Sequence, residues 1–570
     1  MTVRGPLRGI LLAASLVLAT GFVWAAFNPA PHTGGDNAGY LALAHALTEG
    51  EGYVDAFDPL RAPHTKYPPL FALLLAAAAS LGASTWSAFK ALVAVATVLG
   101  VGVTFLWAER RLGPWRAFGV SVLVAASAGV VYYSHWILSD PVFVLLTVAA
   151  LWALERGEAR SWDPRWIAAG CLAALGAYFT RSAGLPLLVA VLGWLALRGR
   201  FRLLVFAAAA FVVPAGLWLV RGLGTGVGDY GAEFWLVDPY EPGLGTVGVG
   251  GLAGRALGNG LAYATRHLPA AIVGVEGLWT IALGVALLAA AVWGWWRSAR
   301  EEPAVAELFL PLYLGLILLW PEVWGGDRFV LPVLPLLLLY AAVALEGWTR
   351  RLGGGARLIA AAALLVALLP ALGSWVGAVT DARGCAAVVE ERGPFACYGP
   401  RVTEFVEAAA WMGGALPEGS AVMTRKPRIF YVMSAGVSSR TFPFVPDPAA
   451  HLAEADAVGA RYVLLDRWDG QAGRFVGAAV QARPGAFCFV RGFGPGPSGS
   501  SQLLGILPPE LRTGGASGPG GVSIAMCPAD YLRPGAGVGP DAIGPGGAGG
   551  LMDPTGGNPA RIPLFYASVP

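Results

Sequence analysis

The chain has 570 residues, of which 56% are hydrophobic and 13% charged, with a formal net charge of +3. Soluble proteins carry about 25% charged residues, so the composition excludes an ordinary soluble enzyme and specifies a polytopic membrane protein. The basic residues are scattered through short loops, which gives nucleic acid no footing and suits a membrane topology.

Many apolar runs approach or exceed the ~18 residues that cross a bilayer. The first span is expected at 8–27, behind Arg4 and Arg8. That opening also fits a signal peptide, but the later spans favour a retained helix. Residues 28–67 then form an outer loop. The stretch 68–82 opens on Pro68 and Pro69, and two prolines suit a helix start. It is read as an interfacial helix, because a crossing there would send Arg110, Arg111 and Arg116 outside, against the positive-inside tendency. Further spans follow at 86–108, 116–134, 138–155, 166–180, 183–197 and 203–220, with Arg181 interrupting the fifth and sixth. A Gly-rich outer loop, 221–268, precedes spans at 269–296, 305–320, 329–348 and 358–379. The layout makes about eleven spans and leaves the C-terminus outside.

The character changes after residue 380. Helical patterns at 402–412 and 449–458 alternate with strand patterns at 421–424, 461–466 and 486–490, so 381–493 is expected to be a small extracytoplasmic α/β domain. Residues 494–570 are rich in Gly, Pro and Ser and read as a loosely ordered tail. Cys385, Cys397, Cys488 and Cys527 lie in this polar part and suggest two disulfides in an oxidising compartment. Three pairings are possible; Cys385–Cys397 with Cys488–Cys527 is favoured because the first closes a short local loop.

The loop 32–70 organises the chain. A Gly-Gly pair leads into Asp36, and 37–49 reads as a helix whose apolar face (Tyr40, Leu43, Ala44, Leu47) suits a bilayer surface. The loop ends in Lys66-Tyr67-Pro68-Pro69-Leu70. An acidic residue soon after the first span, then Tyr and a helix, Gly50-Glu51-Gly52-Tyr53 and a Pro-Pro-Leu entry resemble the GT-C superfamily of membrane glycosyltransferases. Within it the loop looks like that of the protein O-mannosyltransferases and the lipid A aminoarabinose transferases. The resemblance covers the layout of residues 8–380, and Trp411, Arg425-Lys-Pro427 and Tyr462-Val-Leu-Leu-Asp466 resemble the extracytoplasmic tail domain of many bacterial GT-C proteins.

The resemblance implies transfer of a hexose or pentose from a polyprenyl-phosphate donor to a hydroxyl of a lipid, glycan or protein at the outer face. It places the catalytic acid at Asp36, a base for the acceptor hydroxyl; a helix cap is the plainer use of an Asp there. Asp140, in Ser139-Asp140-Pro141, is also catalytic in this reading, orienting Asp36 or holding a divalent cation, the one cofactor considered. Lysine occupies only positions 66, 90 and 426, against 36 arginines. Lys66 therefore reads as a compact ammonium chosen for a phosphate oxygen, with Tyr67 inserted before the Pro-Pro-Leu that follows the family's lysine. Arg328 opens an Arg-aromatic-x-x-Pro pattern like the family's, and Arg181 and Arg328 complete the phosphate clamp. His135 is a candidate for sugar or phosphate, and Asp327 lies at the same face. Ionisable groups at membrane depth are costly and mark function. A P-loop, HExxH and paired CxxC are absent from the sequence. A flippase of lipid-linked sugars would need charges along a path through the bilayer, and a plain membrane anchor for a binding domain would leave the loop motif unexplained.

Overall fold

The computed structural model describes residues 4–222, 230–239, 241–275, 277–349, 354–496, 499–513, 524–534 and 561–566. The chain runs through α1 (Arg4–Ala25), α2 (Gly35–Thr48), α3 (Leu70–Ser80) and α4 (Trp86–Leu112). Then come α5 (Pro114–Ala126), α6 (Ala128–Tyr133), α7 (Asp140–Ala159), α8 (Pro164–Thr180), α9 (Leu185–Leu197) and α10 (Phe201–Gly222). After these follow α11 (Tyr230–Trp235), α12 (Val249–Ala262), α13 (Leu268–Val273), α14 (Leu278–Glu301), α15 (Val305–Leu319), α16 (Leu334–Thr349) and α17 (Gly354–Arg392). The last part holds α18 (Pro400–Ala415), β1 (Ala421–Met423), α19 (Pro427–Met433), β2 (Ser438–Arg440), α20 (Pro448–Val458), β3 (Tyr462–Leu465), β4 (Phe487–Phe493) and β5 (Ser501–Ile506).

Two compact units result. The first comprises residues 1–28, 65–71 and 90–383, and is helical. Among the described residues four helices are long and apolar enough to cross a membrane, in α1, α4, α10 and α14, and five more apolar helices are shorter. Small residues let the helices close up: a methyl group at Gly294 of α14 would strike the Tyr340 carbonyl of α16, and one at Gly170 of α8 would strike Leu154 of α7. Arg111 binds Glu155 and Glu307, and Tyr340 donates to Glu307 at 2.7 Å, which ties α4, α7, α15 and α16 through one buried network.

Two sequence expectations are corrected here. The span 269–296 is two helices, because Gly274 takes the left-handed conformation (φ +75°) that ends α13. The Gly-rich loop 221–268 carries α11 and α12, with 223–229 and 240 outside the described residues. Arg255 and Asn259, one helical turn apart on α12, donate to the carbonyls of Leu318, Leu319 and Trp320. They satisfy the acceptors that a helix end leaves open, which explains why this stretch orders against α15.

The second unit comprises residues 29–64, 72–89 and 384–570. Its five-stranded sheet has the order β2-β1-β3-β5-β4, parallel across β2-β1-β3 and antiparallel beyond. Met423, Leu452, Val463, Phe475 and Leu504 are among the residues of its core. Both favoured disulfides form.

Several expectations change here too. Residues 494–570 are not a loose tail throughout: Ser501–Ile506 is a full strand with Leu503, Leu504 and Ile506 buried. Residues 497–498, 514–523, 535–560 and 567–570 lie outside the described residues. The face of α2 read as bilayer-facing is instead internal. Tyr40, Leu43 and Ala44 are at most 3% exposed, and α2 packs on α19. At 11 residues, α3 spans about 16 Å and falls short of the ~30 Å hydrocarbon core.

Candidate active site

In the first unit, Asp140, Arg181 and Arg328 come together. Asp140 sits in the first turn of α7, with Ser139 before it and Pro141 after it. Ser139 holds the cap position, so Asp140 is not the helix cap. Arg181 follows the last residue of α8 in extended backbone, which swings its side chain away from the helix. Arg328 lies in a 3₁₀ turn, residues 327–329. Arg181 Nη1 donates to Asp140 Oδ1 at 2.7 Å, and Arg328 Nε donates to Asp140 Oδ2 at 2.7 Å. The carboxylate is 1% exposed and the two guanidinium side chains 15% and 22%. Two cations thus share one buried carboxylate, and Asp327, next to Arg328, brings a second carboxylate to the group. Asp327 accepts from Tyr133 at 3.1 Å and from the Arg328 amide at 3.0 Å, which fixes the turn.

The divalent cation suggested for Asp140 does not fit there. Both carboxylate oxygens already meet guanidinium groups, and these would repel a metal ion. Among the described residues there is no group of three or more His, Cys, Asp or Glu side chains placed to hold one.

Lys66 also has a partner that the sequence did not reveal. Its Nζ donates to both oxygens of Glu233 on α11, at 2.9 and 3.0 Å, and lies 5.2 Å from the Tyr230 ring centre and 4.9 Å from that of Trp324. Tyr67 beside it is buried. His135 is 4% exposed, in an aromatic cluster with Trp136 (4.6 Å), Phe27 (6.1 Å) and Tyr132 (6.4 Å). Lys90, noted in the sequence only for its rarity, is fully buried; it donates to the Asn28 carbonyl at 2.8 Å and lies 4.5 Å from the Trp136 ring centre.

Asp36 belongs to the second unit. It lies inside the first turn of α2, where Gly34 is the cap residue, so Asp36 is not the helix cap either. His32 Nδ1 accepts from the Gly34 amide at 2.8 Å and bonds Asn37 at 3.2 Å, and this shapes the turn into the helix. Arg428, from α19, brings Nη1 to 3.9 Å from Asp36 Oδ1. Gly39 makes room for that arginine, since a Cβ there would sit 3.1 Å from Arg428 Cδ. Asp36 stays 37% exposed and Arg428 25%, so both can be reached. Sequence reasoning missed Arg428; its only signal was the place next to the Arg-Lys-Pro motif.

No family model matches the sequence, and no curated protein does. Solved structures do match. The oligosaccharyltransferase of Archaeoglobus fulgidus in the apo form aligns with a TM-score of 0.53 at 14% identity, over 85% of this chain and 74% of that one. ArnT from Cupriavidus metallidurans bound to undecaprenyl phosphate aligns with a TM-score of 0.53 at 14% identity, over 88% of this chain and 98% of that one. The chain has the GT-C fold. A further structure of the Archaeoglobus enzyme, AglB, holds an inhibitory peptide and a dolichol-phosphate (TM-score 0.53, 14% identity, 88% and 74% covered), and another was solved with Zn and sulfate. The apolar helices of the chain suit a membrane protein.

Proposed function

We propose that this chain is an integral membrane glycosyltransferase that moves a sugar from a polyprenyl-phosphate donor to an acceptor hydroxyl. The reading includes about eleven spans, with the 28–67 loop and the α/β unit on the extracytoplasmic side. The observation that carries it is the convergence of Arg181 and Arg328 on buried Asp140 in a chain of GT-C fold. Asp140 is a positioning residue in this reading. It aligns two guanidinium groups whose remaining donors receive the donor phosphate and stabilise its growing charge as the sugar departs. Asp36 takes the proton of the acceptor hydroxyl, in an inverting displacement. Lys66 adds a third cation once it exchanges Glu233 for the phosphate.

The test is binding of undecaprenyl phosphate to the full-length protein in nanodiscs. Arg181→Ala and Arg328→Ala are each expected to weaken it at least tenfold, with less than additive loss in the double variant because both act on one anion. Unchanged binding in both single variants would remove the clamp from the account.

A further inference from the structure

The Arg425-Lys426-Pro427 and Tyr462–Asp466 motifs are unused by the transfer reaction, yet the sheet brings them side by side. β1 and β3 are parallel neighbours, with Met423 level with Val463. From β1 the chain passes through α19 to β2 on one side; from β2 it passes through α20 to β3 on the other. Connections that leave in opposite directions open a crevice outside the carboxyl ends of the two strands, the usual ligand position in open α/β sheets.

Thr424, Arg425 and Lys426 follow β1 at this edge, and Asp466, Trp468 and Asp469 follow β3. Most of their polar atoms have partners. Arg425 pairs with Asp469 at 2.8 Å, the Trp468 amide donates to Asp466 Oδ1 at 2.8 Å, and Lys426 Nζ lies 5.7 Å from the Trp468 ring centre. Three do not make a hydrogen bond among the described residues: Arg425 Nε, which meets Asp469 only as an ion pair, and Thr424 Oγ1 and Asp466 Oδ2, buried in residues 0% and 3% exposed. Such groups are costly to leave unpaired, and two of them at one switch point mark a place completed by something else.

The chemistry narrows what completes it. Phosphate brings no donor for the Asp466 oxygen and is repelled by it. A metal ion would face Arg425 and Lys426, with Asp469 already engaged. A hydroxyl both donates and accepts, so it suits a carboxylate and a threonine together. We infer that the crevice outside β1 and β3 binds a saccharide, whose hydroxyls meet Asp466 and Thr424 while Lys426 and the half-buried Trp468 flank it. This inference stands apart from the transfer reaction and gives the α/β unit a task of its own.

The test screens the full-length protein in nanodiscs against an array of neutral and uronic-acid-containing oligosaccharides, then titrates the best binder by calorimetry. Wild type is expected to retain at least one glycan. Asp466→Asn and Thr424→Val should each weaken it tenfold or more, Thr424→Ser should bind as wild type, and Arg328→Ala should leave binding unchanged. Without glycan, the thermal midpoints of Asp466→Asn and Thr424→Val at pH 7 should stay level or rise, because the first loses a buried charge and the second an unpaired buried hydroxyl. Failure of wild type to retain any glycan would overturn the proposal, as would undiminished binding in the two variants. Falling midpoints would overturn it too, by showing that the two atoms hold a structural water.

Discussion

Two buried carboxylates, one in each unit, are treated in opposite ways. Asp140, 1% exposed, has a guanidinium on each oxygen. Asp466, 3% exposed, has one oxygen on a backbone amide and the other without a bond among the described residues. Burial, the largest cause, pushes the Asp466 carboxyl up to about 6. On the two proposals made above, each place is built around a different kind of partner. Asp140 organises cations that an anion can share. Asp466 offers an acceptor to a neutral donor. Burying a charge is tolerable when it is paired, so the unpaired case is the one that calls for a ligand.

The comparison can be broken most forcefully at Asp140. Asp140→Ala leaves Arg181 and Arg328 without their counter-charge, and removing one partner of a buried pair costs about 3–5 kcal/mol. The expected result is low yield of folded protein and no retention of undecaprenyl phosphate. Wild-type stability in that variant would mean that the two arginines are balanced elsewhere.

At Asp466 the sign reverses. Its folded-state pKa, about 6, lies above the ordinary 3.8, so the folded unit holds a proton that the unfolded chain gives up between those values. The stability this provides is complete below about pH 4, is lost as pH rises through about 6, and stays lost above it. Asp466→Asn should therefore stabilise the α/β unit by about 1–3 kcal/mol at pH 7 and by nothing near pH 4. Chemical unfolding at the two pH values checks this. A gain at pH 4 equal to that at pH 7 would contradict it.

Lys66 and Glu233 are an intermediate case, a pair with side chains 25% and 20% exposed. If Glu233 holds Lys66 until a phosphate displaces it, Glu233→Gln should tighten undecaprenyl phosphate binding by about two- to fivefold, since surface-type pairs are worth ~1 kcal/mol or less. Weaker binding would show that Lys66 serves α11 and not the donor.

How much of this was legible depended on where charge is expensive. Asp140, Arg181 and Arg328 stood out because ionisable residues are rare in apolar segments. Their pairing did not, because the partners are 41 and 188 residues apart in the chain. Glu233 and Arg428 were missed for the converse reason: in a Gly-rich loop and an α/β unit charges are cheap and carry no signal. Most helices were readable from apolar length, whereas the split at Gly274 depended on one left-handed residue. Strand β5 was hidden in a Gly-, Pro- and Ser-rich stretch, where composition outweighed the short apolar run Leu503-Leu504.

The proposed reaction is sugar transfer from a lipid phosphate with Asp36 as the base. Its most direct measurement is release of undecaprenyl phosphate from a mixture of undecaprenyl-phosphate monosaccharides, with acceptor glycans and lipids from the cell envelope supplied. Wild type is expected to release it. Asp36→Asn should be slower by about 10² to 10⁴ while it binds undecaprenyl phosphate as well as wild type does. Turnover by Asp36→Asn at the wild-type rate would contradict the account.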